Sequence, residues 1–191
     1  MNLAYENLHN FEDDYREEIL DGKVVKMAPS ATPGHNHTTG NIYTIFRLNK
    51  QGCVVLFETD VHFSEKDRVC PDLIVVCNRD IVNEDGGIHG APDLVVEILS
   101  PSTSGRDKKY KKDLYEREGV QEYWIVDTKS RDIEVFILRD GRYSLEGFYQ
   151  ALTDAEIERM NERDRAEKTY QFKTHLWDDV VVDVYEVFKG W

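Results

Sequence analysis

No stretch of this 191-residue chain approaches the roughly 20 consecutive apolar residues that a membrane-spanning helix needs. Residues 1–20 (MNLAYENLHNFEDDYREEIL) also lack the basic-then-apolar order of a secretory signal. Both absences predict a cytoplasmic protein with no membrane partner. Cysteine is scarce: Cys53, Cys70 and Cys77 are odd in number, sit in apolar segments and form no C-x-x-C. They read as three reduced core thiols rather than a disulfide or a zinc site. Common cofactor motifs are missing too. There is no G-x-x-x-x-G-K-[ST] phosphate loop, no G-x-G-x-x-G after a strand, no H-E-x-x-H and no G-x-S-x-G elbow. His35-x-His37 lacks further ligands at helical spacing. These gaps count against nucleotide triphosphatases, nicotinamide enzymes, zinc proteases and serine hydrolases.

What is present describes a folded domain. Hydrophobic residues make up 40 % and aromatics 11 %, too much for a disordered chain. The length suits a single domain over 1–191, with a core at about 12–150 and a C-terminal extension at 151–191. Acids outnumber bases by 37 to 24, a formal net charge of −13. Such a chain repels phosphate backbones as a whole, so any nucleic-acid role must rest on a local basic patch or a bridging metal. The dense positive cluster is RDKKYKK, residues 106–112, with five bases and one acid.

Local patterns order the chain. EILDGKVVKM (18–27) reads as a β-hairpin turning at Asp21-Gly22, and Asp140-Gly141 marks a second hairpin between 133–138 and 143–148. Ile42, Ile45, Phe46 and Leu48 predict a helix over 35–50 packed by that face. The nearly continuous apolar runs of PDLIVVC, PDLVVEIL and EYWIVD predict strands covered on both faces. Residues 78–91, polar and with three glycines, read as a flexible surface loop. A helix over 105–118 carries Tyr110 and Leu114 as an apolar pair and ends at Gly119. Thr153 and Glu156 have capping-box spacing at the start of one charged helix, 153–168. Residues 180–188 fit either strand or helix. The sum is a mixed α/β protein around a central sheet.

Two carboxylates stand out because they interrupt apolar strands: Asp72 at the start of PDLIVVC and Glu97 inside VVEIL. An ionised glutamate in such a run costs several kcal/mol unless it is compensated, and a divalent cation shared by two carboxylates compensates both. The alternative is a structural ion pair, or a wet face of the strand. Asp93 shares the face of Glu97 by strand period but opens its strand, and ranks below Asp72. Lys111 lies beside the Tyr110/Leu114 stripe, four residues after Asp107 and four before Tyr115. Lys112 falls about 100° further round the helix, toward solvent. Lysines of a charged run are ordinarily solvated, and Lys108 and Lys109 fit that description.

The blocks EEILDGKVVKMAPS…H, PDLIVV, PDLVVEILSPST and RDKKYKKDLYEREGVQEYWIVD resemble the Uma-type putative restriction endonuclease family, a branch of the PD-(D/E)XK nuclease superfamily. The similarity covers about residues 12–140. It implies a restriction-endonuclease-like fold, a mixed central sheet flanked by helices, and phosphodiester hydrolysis dependent on Mg²⁺ or Mn²⁺. By position, Asp72 and Glu97 would be the metal-binding acids and Glu18 an accessory acid, while His35 matches the family's histidine opening the next helix. The chain departs from the superfamily's E-x-K, with Leu99 where the lysine stands; the family's lysine comes from the following helix, at Lys111.

The expected function is therefore a metal-dependent endonuclease, acting on DNA ahead of RNA. Asp72 and Glu97 would bind the cation and Lys111 would assist the attacking water. Arg106, Lys108, Lys109, Lys112 and His35 would approach the nucleic acid. A homodimer is in view because many enzymes that cut both strands are dimers. A catalytically weakened binding or regulatory module on the same fold is the second reading. An acidic interaction protein is the third.

Overall fold

The computed structural model describes residues 16–27, 31–49, 52–84, 86–99, 105 and 107–190. Its centre is a six-stranded sheet in the order β3-β6-β9-β10-β11-β12, formed by Val54–Phe57, Leu73–Val76, Leu94–Ile98, Glu122–Asp127, Asp132–Arg139 and Arg142–Gln150. β9 and β10 run parallel because a helical crossover joins them, and the other four pairings are antiparallel. Every residue of β6 and β9 is buried. Alternation sends Leu73, Val75, Leu94, Val96 and Ile98 into one hydrophobic cluster and Ile74, Val76 and Val95 into the other.

Helix α1, Pro33–Asn49, covers the first face through Ile42 and Phe46. It starts two residues before the expected His35: Pro33 is preset for a first helical turn, and the Thr32 hydroxyl accepts from the His35 N–H at 3.2 Å. Leu48, expected on the packed face, is 80 % exposed, two residues and thus over half a turn beyond Phe46.

The second face is covered by a smaller sheet, in the order β2-β1-β5-β4-β8-β7, formed by Lys23–Lys26, Glu17–Leu20, Asp67–Val69, Val61–Ser64, Gly87–His89 and Val82–Asn83. The first hairpin turns at Asp21 (φ 52°) and Gly22 (φ 74°), both in the left-handed region that a tight primed turn requires. The expected loop at 78–91 is instead ordered at Arg79–Ile81, a 3₁₀ turn, and at β7 and β8. Ile88 is the cause: it is buried, and its N–H donates to the Asp60 carbonyl at 2.8 Å. Gly87 (φ 89°) permits that approach, since a Cβ there would come within 2.4 Å of the same carbonyl.

The crossover after β9 contains a π-helical turn, Asp107–Lys111, that continues into α2, Lys112–Glu118. Gly119 (φ 88°) ends it, its N–H donating to the carbonyls of Tyr115 and Glu116. The expected single helix at 153–168 is two, α3 (Asp154–Arg159) and α4 (Glu162–Glu167). The capping box at Thr153 and Glu156 forms, and Asn161 interrupts by capping the second helix through Asp164 N–H. Residues 180–188 hold both candidate states in succession: β14 (Val181–Asp183), paired with β13 (Gln171–Lys173), runs into α5 (Val184–Phe188). Phe172, Trp177, Val182 and Val187 enter the first cluster beside Trp124, so this segment completes the core.

The cysteine expectation is overturned for two of three residues. β3 pairs with β6 so that Val54 faces Val76; the next pair outward is Cys53 and Cys77, and they form a disulfide with Cα atoms 4.0 Å apart. Two thiols in separate apolar segments gave no hint that their strands are neighbours. Cys70 is free and buried. Among the described residues no helix is long and apolar enough to cross a membrane.

Candidate active site

Three charged residues expected from sequence meet between the two sheets. Lys111, at the end of the π-helical turn, places its Nζ 2.8 Å from Oε1 of Glu97 on β9 and 2.8 Å from Oε1 of Glu18 on β1. All three are nearly closed to solvent: Lys111 and Glu97 are 3 % exposed and Glu18 is 2 %. Glu18 also accepts from the Cys70 N–H at 3.1 Å, and Glu97 accepts from the Tyr115 hydroxyl at 2.6 Å. One ammonium is thus shared by two buried carboxylates, each held by a second donor. That arrangement offsets the cost of burying charge and fixes the direction of all three groups.

The crossover helix is positioned by a buried aspartate that sequence did not single out. Asp67 on β5 accepts from Tyr110 OH (3.1 Å), Arg117 Nη2 (3.0 Å) and Asp21 N–H (3.0 Å). These bonds hold the helix over β1 and β5 on both sides of Lys111. The Asp107 side chain, expected to support Lys111, lies outside the described residues.

Asp72 precedes β6. The β6–β9 register ends at Leu73 opposite Val96, with Asp72 one residue before the one and Glu97 one residue after the other, at the same end of the sheet. The two carboxylates turn to different partners. Asp72 Oδ2 accepts from the Ile98 N–H at 2.6 Å, and Oδ1 lies 3.0 Å from Nε2 of His35 on α1. His35, expected on the nucleic-acid side, is buried against Asp72 instead. Burial disfavours its charged form, but hydrogen bonding to Asp72 and the charge of that carboxylate together outweigh burial and raise its pKa above the ordinary value. Its Nδ1 is buried without a hydrogen-bond partner among the described residues. Asp93 is occupied elsewhere, accepting from the Cys77 N–H at 2.7 Å.

The basic cluster is dispersed. Arg106 and the Lys108 side chain lie outside the described residues, Lys109 is exposed and Lys111 is buried. Lys112, expected toward solvent, is half-buried with its ammonium 3.7 Å above the Phe136 ring. Lys111 and Lys112 therefore serve different surroundings, as their helical separation requires. The lone thiol nearby is no nucleophile: burial, then the charge of Asp60, pushes Cys70 up to about 12, so it stays protonated at neutral pH.

Among the described residues, no three His, Cys, Asp or Glu side chains are grouped closely enough to hold a metal by themselves. A small hard cation needs fewer: Mg²⁺ is usually held by about one or two carboxylates, with water and substrate phosphate completing the shell. Asp72, just before β6, and Glu97, on the adjoining strand β9, offer carboxylate oxygens and fit that requirement in donor type and number. Sequence reasoning passed over Tyr115 as a donor, although its spacing of four from Lys111 put both on one helix face. It had no means of finding Asp67.

Comparison with known proteins bears on the family and the fold. Residues 3–163 match the Uma2 family, described as "Putative restriction endonuclease". The uncharacterized protein slr1290 of Synechocystis is 29 % identical over 164 residues, covering 81 % of this chain and 84 % of that protein. The crystal structure of a putative nuclease belonging to DUF820 from Anabaena variabilis aligns with a TM-score of 0.62 at 17 % identity, over 90 % of this chain and 89 % of that one. At that identity the likeness concerns the fold: mixed α/β and nuclease-like.

Proposed function

The chain belongs to the Uma2 family of putative restriction endonucleases, and from that premise we propose that it is a metal-dependent endonuclease that hydrolyses phosphodiester bonds in nucleic acid, DNA ahead of RNA. The observation that carries the reading is the buried contact, 2.8 Å, between Lys111 Nζ and Glu97. It supports a lysine that returns to the acidic strand from the following helix, at a place where Leu99 occupies the in-strand position.

Asp72 and Glu97 would hold a divalent cation, Mg²⁺ or Mn²⁺, which when bound supplies Lewis-acid polarisation of a phosphate oxygen. Lys111 does the work that belongs to this chain alone. Its ammonium, aimed by Glu18 and Glu97, would orient the attacking water and offset the negative charge that gathers on the phosphate oxygens in the transition state. Glu18 keeps that ammonium in place, and His35 holds the Asp72 carboxylate. The reaction adds water across one P–O bond, leaving a phosphate on one fragment and a hydroxyl on the other. In a chain of net charge −13, backbone approach would rest on residues 106–112, Lys109 foremost among those described.

The test is cleavage of supercoiled plasmid and of single-stranded DNA and RNA, with Mg²⁺ or Mn²⁺ and with EDTA. Cleavage is expected with metal only, absent in Glu97→Ala, reduced by about 10²–10⁴-fold in Lys111→Met and largely retained in Lys112→Met. Circular dichroism must accompany Lys111→Met, since removing it strands two buried carboxylates at a cost of about 3–5 kcal/mol. Cleavage that survives both EDTA and Glu97→Ala contradicts the reading.

One observation favours a second reading, a nuclease-fold binding module. The Lys111 ammonium is already engaged by two carboxylates, a stable state for a site that does not turn over. Such a module shifts nucleic acid in a salt-dependent way without cutting it under any metal.

A further inference from the structure

Oε1 of Glu97 receives two donors from one helix face, Lys111 Nζ at 2.8 Å and, one turn later, the Tyr115 hydroxyl at 2.6 Å. We propose that Tyr115 is a positioning residue of the cation site: its hydroxyl sets the orientation in which the Glu97 carboxylate, with Asp72, would hold a divalent cation. The proposal deepens the nuclease reading and rests on it.

Three features support the role. The contact is short, within the range of about 2.5–2.7 Å for a hydroxyl donating to a carboxylate, so it is among the stronger bonds available to a neutral side chain. The ring cannot swing away. Tyr115 is fully buried, edge-on to Tyr123 at 5.1 Å between centroids and tilted against Phe63 at 6.1 Å. Finally, glutamate has several rotatable bonds, and in its apolar strand the directional partners reaching it from α2 and the π-helical turn restrict its rotamer. Metal-ligating carboxylates are commonly oriented by such hydrogen bonds, and losing one typically costs about 10–100-fold in metal affinity.

A merely structural tyrosine would satisfy the buried carboxylate, and its loss would lower stability without touching metal affinity. The experiment separates the two. The full chain, wild type and Tyr115→Phe, is titrated with Mn²⁺, and free ion is followed by electron paramagnetic resonance; plasmid cleavage is measured over the same metal range. Tyr115→Phe is expected to weaken Mn²⁺ binding by about 10–100-fold. The metal concentration for half-maximal cleavage should rise by the same factor, with kcat at saturating metal nearly retained. Unchanged Mn²⁺ affinity in Tyr115→Phe overturns the proposal. If that variant does not fold, 4-fluorophenylalanine placed at 115 keeps the ring's breadth but cannot donate, and the same loss of affinity is required of it. A wild-type chain that binds no Mn²⁺ overturns the underlying nuclease reading, and this proposal with it, whereas wild-type binding with an unaffected Tyr115→Phe overturns this proposal alone.

Discussion

Single residues in this protein carry charge where charge is expensive, and each does so by a different means. Glu97 and Glu18 share the Lys111 ammonium, whereas Glu122 on β10 is fully buried with no cation beside it among the described residues. It accepts from Trp124 Nε1 at 2.7 Å and from the His175 N–H at 2.8 Å, joining the central sheet to the C-terminal segment. Burial pushes its pKa up to about 7, outweighing those donors. An unfolded glutamate titrates near about 4.3. Between the two values the folded chain keeps a proton that the unfolded chain releases. Stability from this group is therefore greatest at low pH and falls as pH rises toward 7, by up to about 1.4 kcal/mol per unit. Urea unfolding from pH 5 to pH 8 should show this decline, and Glu122→Gln should flatten it. A Gln variant with the wild-type slope would place the titrating group elsewhere. At this scale Glu97 and Asp72 were legible in sequence because an acid inside an apolar run is conspicuous. Glu122 was not, since it opens its run and looks like an ordinary flanking charge. Asp67 opens β5 straight after the charged turn Glu65–Lys66 and reveals itself only through what folds over it.

Elements were legible where one short signal governs them. Asp21-Gly22 and Asp140-Gly141 mark turns by the positive φ they tolerate, and both hairpins form. Buried strands were legible by their apolar runs. What failed depended on distant partners. β8 exists because Ile88 finds the Asp60 carbonyl, and the long charged helix divides because Asn161 prefers to cap. The π-helical turn at 107–111 has no sequence mark, yet such turns recur at functional sites, and this one ends at Lys111. The Cys53–Cys77 disulfide also belongs to this scale, since it fastens edge strand β3 to β6, whose neighbouring residue is Asp72. Closing a separation of 24 residues restricts the unfolded chain enough to contribute about 3–4 kcal/mol in the loop-entropy account. Dithiothreitol should lower the urea midpoint of the wild type and leave Cys77→Ser unchanged. Equal midpoints with and without reductant would mean that the bond does not bear on stability.

Across the molecule, the division of labour follows from two cores on one sheet. The first face, packed by α1 and the C-terminal segment, holds the cluster around Phe46, Trp124 and Trp177. The second, beneath the smaller sheet, holds the Glu18–Lys111–Glu97–Tyr115 group, with Asp72 and His35 at the adjoining strand end. The family resemblance had placed Glu18 as an accessory acid; its contacts make it the partner of Lys111. The net charge of −13 bears on the same question, because an acidic chain meets a phosphodiester through a local basic patch or a bridging cation. The most direct measurement is a crystal soaked in Mn²⁺, with data collected at the manganese absorption edge. The account predicts one anomalous peak within bonding distance of the carboxylates of both Asp72 and Glu97, about 2.0–2.3 Å, with Lys111 Nζ still beside Glu97. No peak at that position under saturating Mn²⁺, or a peak bound by other residues alone, would contradict it.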